Sequence, residues 1–364
     1  MTAEPDRLWS GLLERRVIVA AGAGGVGKTT TSAALGLALA RAGRRVLVLT
    51  VDPARRLADA LGHDLGPDPS AVRLPGEPAL DAAMLDAPAS FRRVVEQLDV
   101  HPDARRRLLA SRITQELTGG DAGMQELMAI VELERFCADP GYDVVVLDTP
   151  PALHALDLLD GPERIVGLLA GRTVRTIGLA GGLAGRFGRI PGPGRALTRL
   201  WGSDLLGEIA SFLDAARPFG EALGRHLDHA QHLLRCDQAA FVLVTAPATT
   251  PVATASALAD ELLRRGHPIA GTIINRRRAP LSGGLDGRTL EATAAQLHAA
   301  GLTRLASSAG QLATIAAHEQ AVLTAGSLPQ PWLPLAERPA QERPEQLLGA
   351  LASALVAPTD QAGQ

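Results

Sequence analysis

Five short apolar runs recur along the chain: Arg16–Ala20, Arg45–Thr50, Asp143–Leu147, Ala240–Thr245 and Ile269–Ile274. Each is too brief for a helix and rich in Val and Ile, which predicts buried strands. Ala82–Leu85 predicts a sixth, shorter one. Between them lie stretches with helical spacing, first Thr29–Arg41 with apolar residues on most faces. A longer polar span runs to Cys137, with Phe91, Val94, Val95 and Leu98, then Met124, Leu127, Met128 and Val131. Strands alternating with helices predict a mainly parallel sheet covered on both faces. Asp52, Asp148 and Asn275 fall where predicted strands end, the edge at which open α/β sheets bind ligands.

About ninety residues between Asp148 and Ala240 carry no strand pattern. Gly178–Gly194 holds seven glycines and two prolines, and helical spacing returns at Leu205–Leu213 and Glu221–Leu234. The expected organisation is one domain with its core in 14–160 and 236–356, a helical insertion over 161–235, and a flexible tail at 357–364. Gln238–Ala259 contains no charge. Its two prolines and four threonines predict a strand, a loop and a helix start rather than a membrane span.

The composition narrows the function classes. The 364 residues are 46% hydrophobic and 21% charged with a net charge of −3, an ordinary globular balance that argues against nucleic acid as partner. Two cysteines, Cys137 and Cys236, are too few for a disulfide framework and read as buried. Met1–Leu12 has acids at Glu4 and Asp6 and no apolar core of signal-peptide length. A cytoplasmic protein without an integral membrane segment is expected. Of the 36 basic residues only Lys28 is lysine.

That lysine stands in Gly22-Ala23-Gly24-Gly25-Val26-Gly27-Lys28-Thr29, followed by Thr30. The run fits the Walker A consensus G-x-x-x-x-G-K-[ST], with a strand before and a helix after. Glycines let backbone N–H groups converge on a polyphosphate, and the helix adds its positive end. Lys28 would neutralise the β/γ-phosphates and Thr29 would ligate Mg²⁺. Asp148 ends an apolar strand, as expected for the carboxylate near the magnesium. Asp52 could reach the attacking water as base or orienter, or cap a helix over Ala54–Leu61.

The ordered combination AGGVGKTTT, VDPARRLADAL, VVVLDTPP…HALDLLD and IINR resembles the anion-transporting ATPases. These P-loop NTPases include the arsenical-pump ATPase and the ATPase that targets tail-anchored membrane proteins. The likeness spans Val17 to Pro334 and is similar to the single-domain actinobacterial members. It implies Mg²⁺-dependent ATP hydrolysis by a dimer, with Asp52 in switch I as the catalytic carboxylate and Asp148–Pro151 as switch II. It also implies that Asn275 contacts adenine, near a turn at Pro331–Pro334. Where the family's loop usually carries a lysine after its first glycine, reaching the partner subunit's nucleotide, this chain has Ala23. A low-turnover subunit of a heterodimer with a lysine-bearing paralogue is therefore a rival to a homodimeric ATPase. A partitioning-type ATPase is a further rival, disfavoured by the long insertion. The tail-anchored targeting enzymes' C-x-x-C zinc pair and the arsenical pump's second half are both missing from this sequence.

Weaker signals accompany these. His226, His229 and His232 recur at helical spacing and read as a solvated face. Arg105–Arg107 and Arg276–Arg278 read as solvated loops, although the second follows Asn275 and could touch phosphate or a partner subunit. Leu205, Leu206, Ile209, Phe212 and Leu213 form an apolar stripe suited either to an apolar client or to subdomain core.

Overall fold

The computed structural model describes residues 5–52, 54–111, 114, 124–150, 216–278, 287–338 and 342–356. The chain divides into two compact units: Met1–Met84 with Phe136–Leu156 and Leu233–Gln364, and Leu85–Arg135 with Asp157–His232. The second unit thus takes in 85–135 as well as most of the expected insertion 161–235.

The first unit is built on an eight-stranded sheet. Its strands are β1 Val17–Ala21, β2 Val46–Thr50, β3 Ser70–Val72, β4 Leu80–Met84, β5 Val144–Asp148, β6 Ala239–Thr245, β7 Ile269–Arg277 and β8 Trp332–Ala336. They lie in the order β3-β4-β2-β5-β1-β6-β7-β8. Only β3 pairs antiparallel, with β4. This is the mainly parallel α/β sheet expected, and every residue of β1, β2, β5 and β6 is buried. Continuous apolar runs follow from that two-sided burial.

Alternate residues serve opposite faces. Ile18, Val46, Val48, Val144, Val146, Val242 and Ile273 join one core with helices α1 (Pro5–Leu13), α2 (Lys28–Arg41) and Pro344–Val356. Leu8 and Leu12 of α1 are among its fully buried side chains. The helix Thr249–Arg264 follows β6, so the uncharged run from Gln238 is a strand, a loop and a helix start. Among the described residues no helix is long and apolar enough to cross a membrane.

Several local expectations need correction. Pro331–Pro334 is mostly strand: β8 pairs in parallel with β7, Ile274 opposite Pro334. Pro334 is tolerated because β8 is an edge strand, where a missing N–H leaves no ladder bond unmade. Arg276 and Arg277 continue β7, and Arg105–Arg107 lie in the helix Pro102–Ala110. Cys137 and Cys236 form no disulfide and are only half-buried.

In the second unit, Glu132 is buried between two arginines, with Arg135 Nε 2.7 Å from its Oε2 and Arg93 on Oε1. The rings of Phe91 and Phe219 meet at a tilt of 55°, with 4.5 Å between centroids. His229 Nδ1 lies 3.1 Å from Glu134 Oε1, and His226 shares the same carboxylate. His229 and His232 are exposed and His226 half-buried. Among the described residues no group of three His, Cys, Asp or Glu side chains is placed to hold a metal. The apolar stripe 205–213 and the Gly/Pro segment 178–194 lie outside the described residues.

Candidate active site

The strand order assembles the site. Because β5 lies between β2 and β1, Asp148 comes into register with Thr50 on one side and Ala20 on the other. The loop Gly22–Gly27 leaves the end of β1 beside them, and α2 starts at Lys28. Two glycines are obligatory. A Cβ on Gly22 would sit 2.0 Å from Val244 O of β6. Gly27 has φ +90°, a left-handed conformation that caps α2, and a Cβ there would meet Asn275 Nδ2 at 2.3 Å. Gly24 and Gly25 are exposed, Ala23 is half-buried, and Val26 is buried with Ala20 and Val244. The loop is thus anchored at both ends and open at its crest.

Lys28 is 7% exposed, and its Nζ donates to Ala23 O across the loop at 2.9 Å. Burial pushes its pKa below the ordinary lysine value, the carboxylates of Asp148 and Asp52 push it back up, and the Arg56 charge adds to the depression. A desolvated cation facing two carboxylates and an exposed glycine crest is suited to an incoming polyanion.

Asp148 is fully buried. Its Oδ2 accepts from Thr29 Oγ1 at 2.8 Å and Thr50 Oγ1 at 3.0 Å, and Ser32 Oγ lies 3.3 Å from Oδ1. Burial holds its carboxyl above the usual range, opposed by these hydroxyls and by Lys28. The loop threonine and the β5 carboxylate therefore meet directly. Both are hard oxygen donors, the set that suits Mg²⁺. Thr50 and Ser32 were not singled out in the sequence. Ser32 stands three residues beyond Thr29, on the same helix face, which is the signal that would have marked it.

Asp52 is half-buried at the end of β2. Its Oδ1 accepts the Ala54 N–H at 2.9 Å, and its Oδ2 lies 2.6 Å from Arg56 Nη1. The helix α3 spans Arg56–Leu61, and its N-cap is Arg55, which makes no side-chain cap. The alternative of a cap over Ala54–Leu61 is thus replaced by a two-residue turn ahead of the helix. Thr149 Oγ1 donates to Ala20 O at 2.8 Å, tying the residue after β5 to β1.

Asn275 reaches the same loop from β7. Its Nδ2 donates to Val26 O at 2.9 Å, and its Oδ1 accepts the Arg276 N–H at 2.9 Å. The ion pair Arg278–Glu337, at 2.7 Å, and the contact of Arg277 with buried Glu319, at 3.7 Å, fix the strand beyond it.

A mainly parallel sheet with a glycine loop, a helix opening on Lys28-Thr29 and a buried carboxylate on the adjacent strand defines a P-loop NTPase. The sequence profile of the anion-transporting ATPases matches residues 15–280, and the chain belongs to that family. It is 33% identical over 171 residues to the ATPase get3 of Schizosaccharomyces pombe, covering 47% of this chain and 48% of that one. Identity to the ATPase ARSA2 of Chlamydomonas reinhardtii is 33% over 210 residues, 56% and 54% of the two chains. The ATPase ASNA1 homolog 1 of Paramecium tetraurelia is 32% identical over 149 residues, 40% and 43% of the two chains. The chain spans about half the length of the curated relatives it matches.

Proposed function

We propose that this chain binds ATP with Mg²⁺ on Gly22–Thr30 and hydrolyses its terminal phosphate as part of a dimer in the cytoplasm. The observation that carries this is buried Lys28, bonded across the glycine loop to Ala23 O, next to Thr29, which bonds the buried Asp148. Loop amides and the start of α2 would hold the phosphates, with Lys28 neutralising their charge. Thr29 and Asp148 would hold the magnesium, which when bound supplies positive charge to the phosphate oxygens. Asp52 orients the attacking water and takes its proton. The relatives' shared name, ATPase, supports the same reaction.

The switches respond to the terminal phosphate, and the helical insertion 161–235 moves with them to receive or release an apolar client. Hydrogen exchange over 173–234 should differ between ATP and ADP states. Identical exchange would remove the switching claim. Ala23 favours a second reading, in which this chain is the low-turnover subunit of a heterodimer with a lysine-bearing paralogue. No residue of the loop other than Lys28 is a cation.

The test is ATP turnover by the purified full chain with and without Mg²⁺. Hydrolysis that needs Mg²⁺ and vanishes in Lys28→Ala is expected. Binding without turnover would select the heterodimer reading, and absence of any nucleotide binding would end both.

A further inference from the structure

Asn275 is only 8% exposed, yet it lies two residues before the end of β7 among charged neighbours. Both ends of its amide are committed. Val26 O can only accept and Arg276 N–H can only donate, so the orientation of the amide is forced. The Nδ2 group also occupies the space beside Gly27 where a side chain would start, since a Cβ there would come within 2.3 Å of it. It therefore holds the last two loop residues before Lys28, one by hydrogen bond and the other by contact.

The backbone beside Asn275 is arranged for this. Arg276 has φ +58°, a left-handed conformation unusual for a residue with a side chain, and the β7–β8 register shifts between Ile274 and Arg277. The Oδ1 bond to the Arg276 N–H satisfies the donor that this kink takes out of the regular ladder. Val244 of β6 blocks the other end of the loop at Gly22. Two neighbouring strands, β6 and β7, thus clamp a loop that springs from β1.

We infer that Asn275 is a positioning residue for the phosphate loop, acting through Val26 and Gly27 on polyphosphate binding irrespective of the base. This deepens the ATP-binding proposal and rests on it. Freeing Val26 O would let the loop's N–H groups lose their convergence, a cost paid by every phosphate ligand. A contact to adenine, in contrast, would affect only ligands that carry the base.

The experiment measures binding of MgATP and of magnesium tripolyphosphate, which has no base, to the full chain and to Asn275→Ala and Asn275→Asp. Both ligands should weaken by the same factor, about tenfold, the equivalent of one buried hydrogen bond. The aspartate keeps the shape but sets an acceptor against Val26 O, so it should be at least as harmful as alanine. A simple packing role predicts the reverse order. Amide exchange of Val26–Thr29 without ligand should quicken in both variants. Unchanged tripolyphosphate affinity alongside weakened ATP would overturn the inference and assign the amide to the base. So would unchanged exchange. A wild-type chain that binds neither ligand would instead overturn the ATP-binding reading, and the exchange measurement would still decide what Asn275 holds.

Discussion

Arg56 Nη1 lies 2.6 Å from Asp52 Oδ2, one helical turn along the same segment, while the Ala54 N–H holds Oδ1. The Asp52 carboxylate is thus oriented by its own loop before any ligand arrives. The Arg56 side chain is 65% exposed and that of Asp52 only 14%, so the pair lies at the rim with its acid turned inward.

From this follows a graded pair of variants. Asp52→Asn should keep ATP binding within a few-fold and lower turnover by about 10²–10⁴, the range for losing a positioned base. Arg56→Ala should cost less than about tenfold, because an exposed ion pair contributes little and Ala54 still fixes Oδ1. Steady-state turnover and equilibrium ATP binding on both variants check the order. Equal turnover of Asp52→Asn and wild type would return Asp52 to a purely structural turn.

Ala23 leads to an expectation about partners. A cation supplied in trans to a phosphoryl-transfer site is worth about 10³–10⁵ in rate, as arginine fingers show. The isolated chain should therefore turn over slowly, and Ala23→Lys should raise its rate. Mixing it with a paralogue bearing lysine at this position should also raise turnover, and Lys28→Ala here should abolish the share arising from this chain's site. Full activity of the isolated protein, indifferent to such a paralogue, would contradict the idea.

Asp148 sets stability against function. Burial raises its folded pKa above the ordinary value of about 3.9. A group shifted in that direction adds stability below its unfolded pKa, and that contribution is lost as pH rises through the folded pKa. Asp148→Asn should therefore gain stability relative to wild type as pH rises through the carboxyl's raised folded pKa. The same variant should lose the rise in Tm that MgATP gives the wild type. Thermal unfolding across pH, with and without MgATP, measures both.

Gly22 tests the loop's anchoring. The methyl group of Gly22→Ala would overlap Val244 O at 2.0 Å, and backbone cannot rotate away as a side chain can. We expect a loss of about 1–3 kcal/mol in stability together with loss of ATP binding. Gly24→Ala at the exposed crest is the control, and it should retain the wild-type Tm.

The strands β1, β2, β5, β6 and β7 were legible because two-sided burial demands continuous apolar runs, here too brief for a helix and rich in Val and Ile. Two strands left no such trace. β3 has three residues, one of them exposed, and β8 carries Pro334 inside a half-buried edge. The loop was equally legible, since glycines, Lys28 and Thr29 act through consecutive residues. Asp52 was only half so: its position after β2 was plain, whereas its bonds to Ala54 and Arg56 depend on where α3 begins.

The sequence by itself determined the local pieces of this protein. These are the order of strands and helices, the phosphate loop, the acids at the ends of β2 and β5, and the family to which such a set belongs. Each rests on neighbours in the chain, whose spacing and chemistry can be read without knowing the fold. The tertiary structure decided how those pieces face one another. Setting β5 between β2 and β1 closes Thr29, Ser32 and Thr50 around Asp148. Placing β7 two strands from β1 brings Asn275 onto Val26, 249 residues away in the chain. Strand order follows from how helices pack across the sheet, a sum of many weak contacts between distant residues, and no local pattern carries it.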